Sequence, residues 1–145
     1  MGYDIVDIAD LEPLPDRTAT AYEISDHYRA GSADPDTTIP PERGPAEIGL
    51  RIYHAEPGEA LTEGMHYHEE QEETFYVIQG TLVVDTPDRT YTLHRGQAIV
   101  IEPESPQFAR VPDDASGTTH VVAIGAPSYR KLGRNDGVGY RPGTS

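Results

Sequence analysis

The chain has 145 residues, with 25 acidic against 11 basic side chains and a formal net charge of −14. It holds no cysteine, which excludes disulfide frameworks, zinc fingers, iron–sulfur clusters and cysteine nucleophiles. Its length suits one domain with a single core. The negative field repels phosphate backbones and anionic lipid, so neither nucleic acid nor membrane is expected as a partner. No window reaches 18 apolar residues and the amino-terminal stretch is acidic, so a soluble cytoplasmic protein is expected.

Residues 1–45 read as an arm and linker. Short apolar patches (Tyr3, Ile5, Val6, Ile8) alternate with acids and with Pro13 and Pro15, and Thr18–His27 suits a strand or a short helix equally. Gly31–Pro45 carries Pro35, Pro40, Pro41 and Pro45 with two glycines, the composition of an exposed loop, lid or arm. From Ala46 the period becomes two. Ile48, Leu50, Ile52 and His54 alternate with Gly49, Arg51 and Tyr53, which predicts a half-buried strand with His54 pointing inward.

Further strands are predicted at Met65–His68, Thr74–Gln79, Leu82–Thr86, Thr90–His94, Ala98–Ile101, Phe108–Val111 and His120–Ile124. Turn signals such as Pro57-Gly58, Gly80, Pro87-Asp88 and Arg95-Gly96 separate them. Many short strands at close spacing argue an all-β, antiparallel sandwich or barrel over residues 46–126. Residues 127–145, rich in Gly, Arg and Pro, read as a peripheral tail. Phe75, Val77 and Ile101 are expected in the core, His94 and His120 are expected to be structural, and His27 falls where the pattern does not decide.

The stretch with chemical content is His66-Tyr67-His68-Glu69-Glu70-Gln71-Glu72-Glu73. Residues two apart on a strand share a face, so His66 and His68 can enter one cavity. Glu73, after a short turn, begins the next strand with Phe75 and Val77 on its own face. Two imidazoles and a carboxylate make a facial ligand set for a divalent metal that leaves positions open. An isolated His-x-His in an acidic run is more often a solvated surface feature, and Glu69, Glu70 and Glu72 fit that description.

The surrounding spacing resembles the first motif of the cupin superfamily. In that motif His-x-His is followed by three or four residues, a Glu, six residues and a Gly. In this chain four residues separate His68 from Glu73 and six separate Glu73 from Gly80. The motif's earlier Gly, six positions before the first His, is Ala60. The second motif, started from Gly96, falls on Glu102, Glu104 and Gln107, where the family has Pro, Gly and His. Fifteen residues separate Gly80 from Gly96, similar to small microbial cupins.

The resemblance, over about Ile48–Ile124, implies a jelly-roll barrel with one divalent transition metal (Fe, Mn, Zn or Ni) held by His66, His68 and Glu73. Gln107 takes the place of the fourth ligand. It completes the sphere, holds a ligated water or substrate, or marks a weakened site. His54 is either a hydrogen-bonded core histidine or a substrate-pocket residue that exchanges a proton.

Two functions follow from the resemblance. One is a metal-dependent enzyme on a small polar molecule, with dioxygenase, isomerase or lyase chemistry. The other is a non-enzymatic small-ligand binder whose metal is structural, weakened or absent. A homodimer is compatible with both.

Ten of the eleven cations are arginine, and Lys131 is the one lysine. That bias beside so many carboxylates resembles proteins from halophilic archaea and implies salt adaptation. Molar KCl screens the self-repulsion, so the melting temperature should rise between low and molar salt; an unchanged melt overturns the expectation.

Overall fold

Among the described residues, runs of β-branched and aromatic residues broken by Gly and Pro form ten strands, and the strands read from the sequence correspond to β2 to β9. The computed structural model describes residues 2–15, 18–25, 38–39 and 43–143. His27 and most of the Gly31–Pro45 loop lie outside the described residues. The strands are β1 (Thr20–Glu23), β2 (Gly49–Ala55), β3 (His66–His68), β4 (Glu72–Gln79), β5 (Thr81–Asp85), β6 (Thr90–His94), β7 (Ala98–Ile101), β8 (Phe108–Arg110), β9 (Thr119–Ala126) and β10 (Gly137–Gly139). A short helix, α1 (Tyr129–Leu132), precedes β10.

All described pairings are antiparallel. A five-stranded sheet runs β1-β2-β9-β4-β7, facing a three-stranded β6-β5-β8 and a two-stranded β10-β3. Single bridges at Ala60–Arg110 and His66–Gln107 extend the smaller layer beyond its regular strands. The core lies between the layers. Tyr53, Phe75, Val77 and Val121 come from the large sheet, and Leu82, Val84, Leu93 and Ala109 from the facing one; all are buried. Each large apolar side chain removed from water contributes about 1.5–3 kcal/mol. The all-β antiparallel architecture expected from turn spacing, and the barrel that the resemblance implies, are what the structure holds.

Two expectations are corrected by this packing. The alternation over β2 is real but its faces are reversed: Tyr53 and Ala55 are buried, whereas Ile48 is 44% exposed. His54 therefore lies on the outer face, stacked on His120 at 4.3 Å and edge-on to Tyr22. Partial burial and the neighbouring His120 hold its pKa below the usual imidazole value. His54 does not line the central cavity, so the substrate-pocket assignment falls. The physical reason is that the outer face of the large sheet is itself apolar, with Tyr76, Ile78, Val100 and Ile124 exposed there. Hydrophobic alternation alone then points to the wrong side.

The flanking segments are also more integral than an arm and a tail. β1 joins the large sheet beside β2, in register Thr20–His54 to Glu23–Arg51. β10 pairs with β3, Gly137 opposite His68 and Gly139 opposite His66. A chain cut to residues 46–126 would expose both sheet edges.

Two backbone positions carry left-handed geometry near the site strands. Gly80 has φ +87°, and a Cβ there would stand 2.5 Å from Thr119 Oγ1 and 2.8 Å from Thr119 Cα. Glu104 has φ +67° without being glycine. Gly80→Ala is therefore expected to cost at least about 2 kcal/mol, and Glu104→Gly to add up to about 1 kcal/mol. Urea denaturation midpoints for the two variants, moving in opposite directions, check this.

Candidate metal centre

β3 is only three residues long, and its neighbours hold it in place. On one edge it pairs with β10. On the other, His66 N–H donates to Gln107 O (3.1 Å), Gln107 N–H to His66 O (2.8 Å) and Glu104 N–H to His68 O (2.6 Å). With the strand clamped, its period of two turns His66 and His68 to the same side. Glu73, on the inner row of β4 with Phe75 and Val77, meets them there. The ligand atoms of His66, His68 and Glu73 all lie within 4.8 Å of one another.

Each imidazole is oriented by the nitrogen that faces away from the cluster. His66 Nδ1 lies 2.9 Å from the backbone oxygen of Gly64, which can only accept, so Nδ1 carries the hydrogen and Nε2 turns its lone pair toward the cluster. His68 Nδ1–H donates to Asp136 Oδ1 at 2.9 Å, and His68 Nε2 lies 2.7 Å from Glu73 Oε1. Asp136 is buried and also accepts the backbone N–H groups of Glu70 and Gln71, each at 2.8 Å. Burial alone would raise the Asp136 pKa, but these donors and the neighbouring His68 outweigh it and hold the carboxyl below the usual range. Burial likewise pulls His68 down, and the Glu73 and Asp136 contacts more than offset it, so the imidazolium is favoured above the ordinary value.

Gln107 is fully buried against this cluster. Its amide nitrogen lies 3.4 Å from His66 Nε2 and 3.5 Å from Glu73 Oε1, and its amide oxygen is buried with no hydrogen-bond partner. The two ends of an amide are interchangeable in shape. Turned over, the oxygen would face the cluster as a neutral donor to a cation. A buried acceptor left unpaired is costly, so the donor set fits a divalent ion: two neutral nitrogens, one carboxylate and one amide oxygen.

The cluster opens on a cavity of about 890 Å³ lined by His66 and His68 together with Leu61, Met65, Arg51 and Tyr129. The structure thus brings His66, His68, Glu73 and Gln107 together and separates His54 from them. Sequence reasoning missed Asp136, Arg51 and Tyr129. Arg51 stood on the alternate face of β2, which the alternation of Leu50 and Ile52 pointed outward. Asp136 had only the Asn135-Asp136-Gly137 turn signal within a stretch read as tail.

Residues 51–124 match the Cupin domain family. No curated protein matches the chain. Among solved structures, the polyketide cyclase RemF from Streptomyces resistomycificus superposes with a TM-score of 0.61 at 19% identity, covering 87% of this chain and 80% of that one. A sugar phosphate isomerase of the cupin superfamily from Silicibacter pomeroyi gives 0.61 at 20% identity, covering 86% and 76%. KdgF from Halomonas sp. gives 0.64 at 14% identity, covering 91% and 99%. At these identities the likeness is one of fold.

A metal must displace the His68 Nε2 proton, so uptake should strengthen as pH rises through the neutral range. Asp136→Asn should weaken metal binding about 10–100-fold and move the pH midpoint of uptake downward, because His68 loses the carboxylate that favours its charged form. Competition against a chromophoric chelator at stepped pH measures both; an Asp136→Asn midpoint equal to wild type would refute the coupling.

Proposed function

This chain belongs to the Cupin domain family, and on that premise we propose that it is a metal-dependent cupin acting on a small polar molecule. His66, His68 and Glu73 hold the ion and Gln107 completes the set. The observation that carries the reading is the pair of Nδ1–H donors, to Gly64 O and Asp136, which leave both Nε2 atoms facing Glu73 at the end of a large cavity. A bound divalent transition metal supplies Lewis acidity, or oxygen chemistry if it is iron. The chain's own residues supply the rest. Asp136 fixes His68, the Gln107 amide fills the place of an imidazole, and the cavity admits a ligand beside the two histidines.

A cyclase and an isomerase among proteins of the same fold support a small-molecule substrate. Isomerase, lyase or dioxygenase chemistry all lie within this reading. The alternative, a ligand binder with a structural or weakened metal, draws on Gln107, since a neutral amide is a poorer ligand than imidazole. A structural site would be closed, and the reachable cavity favours the enzyme. The reading extends to a homodimer through the outer face of the large sheet, where Tyr76, Ile78, Val100 and Ile124 are exposed. It also extends to a salt-adapted cytoplasmic setting, which the −14 charge supports.

Elemental analysis of untagged protein purified without chelator tests the site. Near-stoichiometric iron, manganese, nickel or zinc that is lost in His66→Ala is the expected outcome. Equal metal in both proteins would remove His66 from the ligand set, and no metal after reconstitution would leave the ligand-binding alternative.

A further inference from the structure

Among the described residues lining the cavity, Arg51 is the only lysine or arginine. It is an internal cation in a strongly acidic chain, with its side chain 19% exposed. Its position is built. Glu23, opposite it on β1, accepts from Nε at 2.9 Å. Tyr53, two residues along the same strand and buried, shares the inner row with it. The guanidinium carbon sits 5.3 Å from the ring centre of Tyr129, and that ring is 5.9 Å from the imidazole of His68. A guanidinium has five N–H donors, and the single bond from Nε to Glu23 does not use them all.

We propose that Arg51, flanked by Tyr129, recognises an oxyanion, a carboxylate or a phosphoryl group, on a small ligand whose other end reaches the His66–His68–Glu73 cluster. The proposal rests on reading that cavity as the ligand site. Tyr129 is in contact with both Arg51 and His68, so a small ligand lying along its ring would reach from the guanidinium toward the cluster. Without an ion, Glu23, Glu73 and Asp136 make the neighbourhood net negative; a divalent metal offsets two of those charges and leaves Arg51 able to attract an anion. A fork-shaped guanidinium pairs with two oxygens at once, which separates an oxyanion from a neutral group of the same size.

The test uses the full chain loaded with Zn(II) and titrated, with NMR detection, against glycolate, its uncharged counterpart glycolamide, and methyl phosphate. Arg51→Gln should weaken glycolate at least about tenfold while changing glycolamide less than about twofold, with Zn(II) affinity within about threefold of wild type. Arg51→Lys should recover part of the loss. Glu23→Gln, which removes the competing carboxylate, should tighten glycolate severalfold and so keeps the test informative if Arg51→Gln folds poorly.

Tighter binding of methyl phosphate than glycolate, with the same dependence on Arg51, identifies a phosphoryl ligand; the reverse order identifies a carboxylate. Equal losses for glycolate and glycolamide, or no measurable binding of either anion to the wild type, would overturn the proposal. If the chain takes up no Zn(II), the metal reading and this proposal, which needs the ion to offset the surrounding carboxylates, fall together; Zn(II) uptake without any dependence of anion binding on Arg51 overturns this proposal alone.

Discussion

His68 donates its Nδ1 hydrogen to a carboxylate that is itself buried and held by two backbone N–H groups, and the geometry of the candidate centre depends on that contact. A buried carboxylate is stable only with its acceptor capacity filled. Asp136 meets the requirement by taking the N–H groups of Glu70 and Gln71, which also shapes the turn between β3 and β4. The same contact therefore fixes one ligand's tautomer, ties the carboxyl-terminal strand β10 to β3 and sets the turn that delivers Glu73. A residue 68 positions further along the chain thus orients the second histidine of the His-x-His pair.

The inner face of the large sheet is divided along its length. Toward one end Phe75, Val77 and Val121 pack into the apolar core. Toward the other, Arg51, Glu73 and the Tyr129 ring replace them, and the cavity opens. Gly125, on β9 opposite Glu73, belongs to this second zone. A Cβ there would stand 2.5 Å from the Gln71 amide, so glycine leaves room for that buried side chain, which donates to Pro127 O. Apolar burial stabilises one end and polar satisfaction the other.

The second cupin motif shows how a backbone outlasts its residues. Glu104 stands where the family has glycine, yet keeps a left-handed φ of 67°. Its N–H still reaches His68 O, and Gln107 still pairs with His66 through the backbone. The residue types differ from the family's motif, and the loop presents position 107 to the cluster. A glutamine there keeps a polar atom aimed inward and removes a titrating group, which leaves His66 and His68 as the imidazoles of the set.

Eight strands and the His66, His68, Glu73 spacing were legible in the sequence, because alternation with a period of two and short turn signals are local properties of the chain. The grouping of Gln107 with them was legible through the family's second motif. The side of β2 that faces inward was not. Leu50 and Ile52 look like core residues until the outer face of the sheet proves apolar too, and His54 followed them to the wrong side. Nor were β1, β10, Asp136 and the Arg51–Tyr129 contact legible, since each depends on segments distant in sequence meeting in space. Spacing along a strand decides which side chains share a face; only the closed barrel decides which face is inside, and which distant carboxylate or cation completes the site.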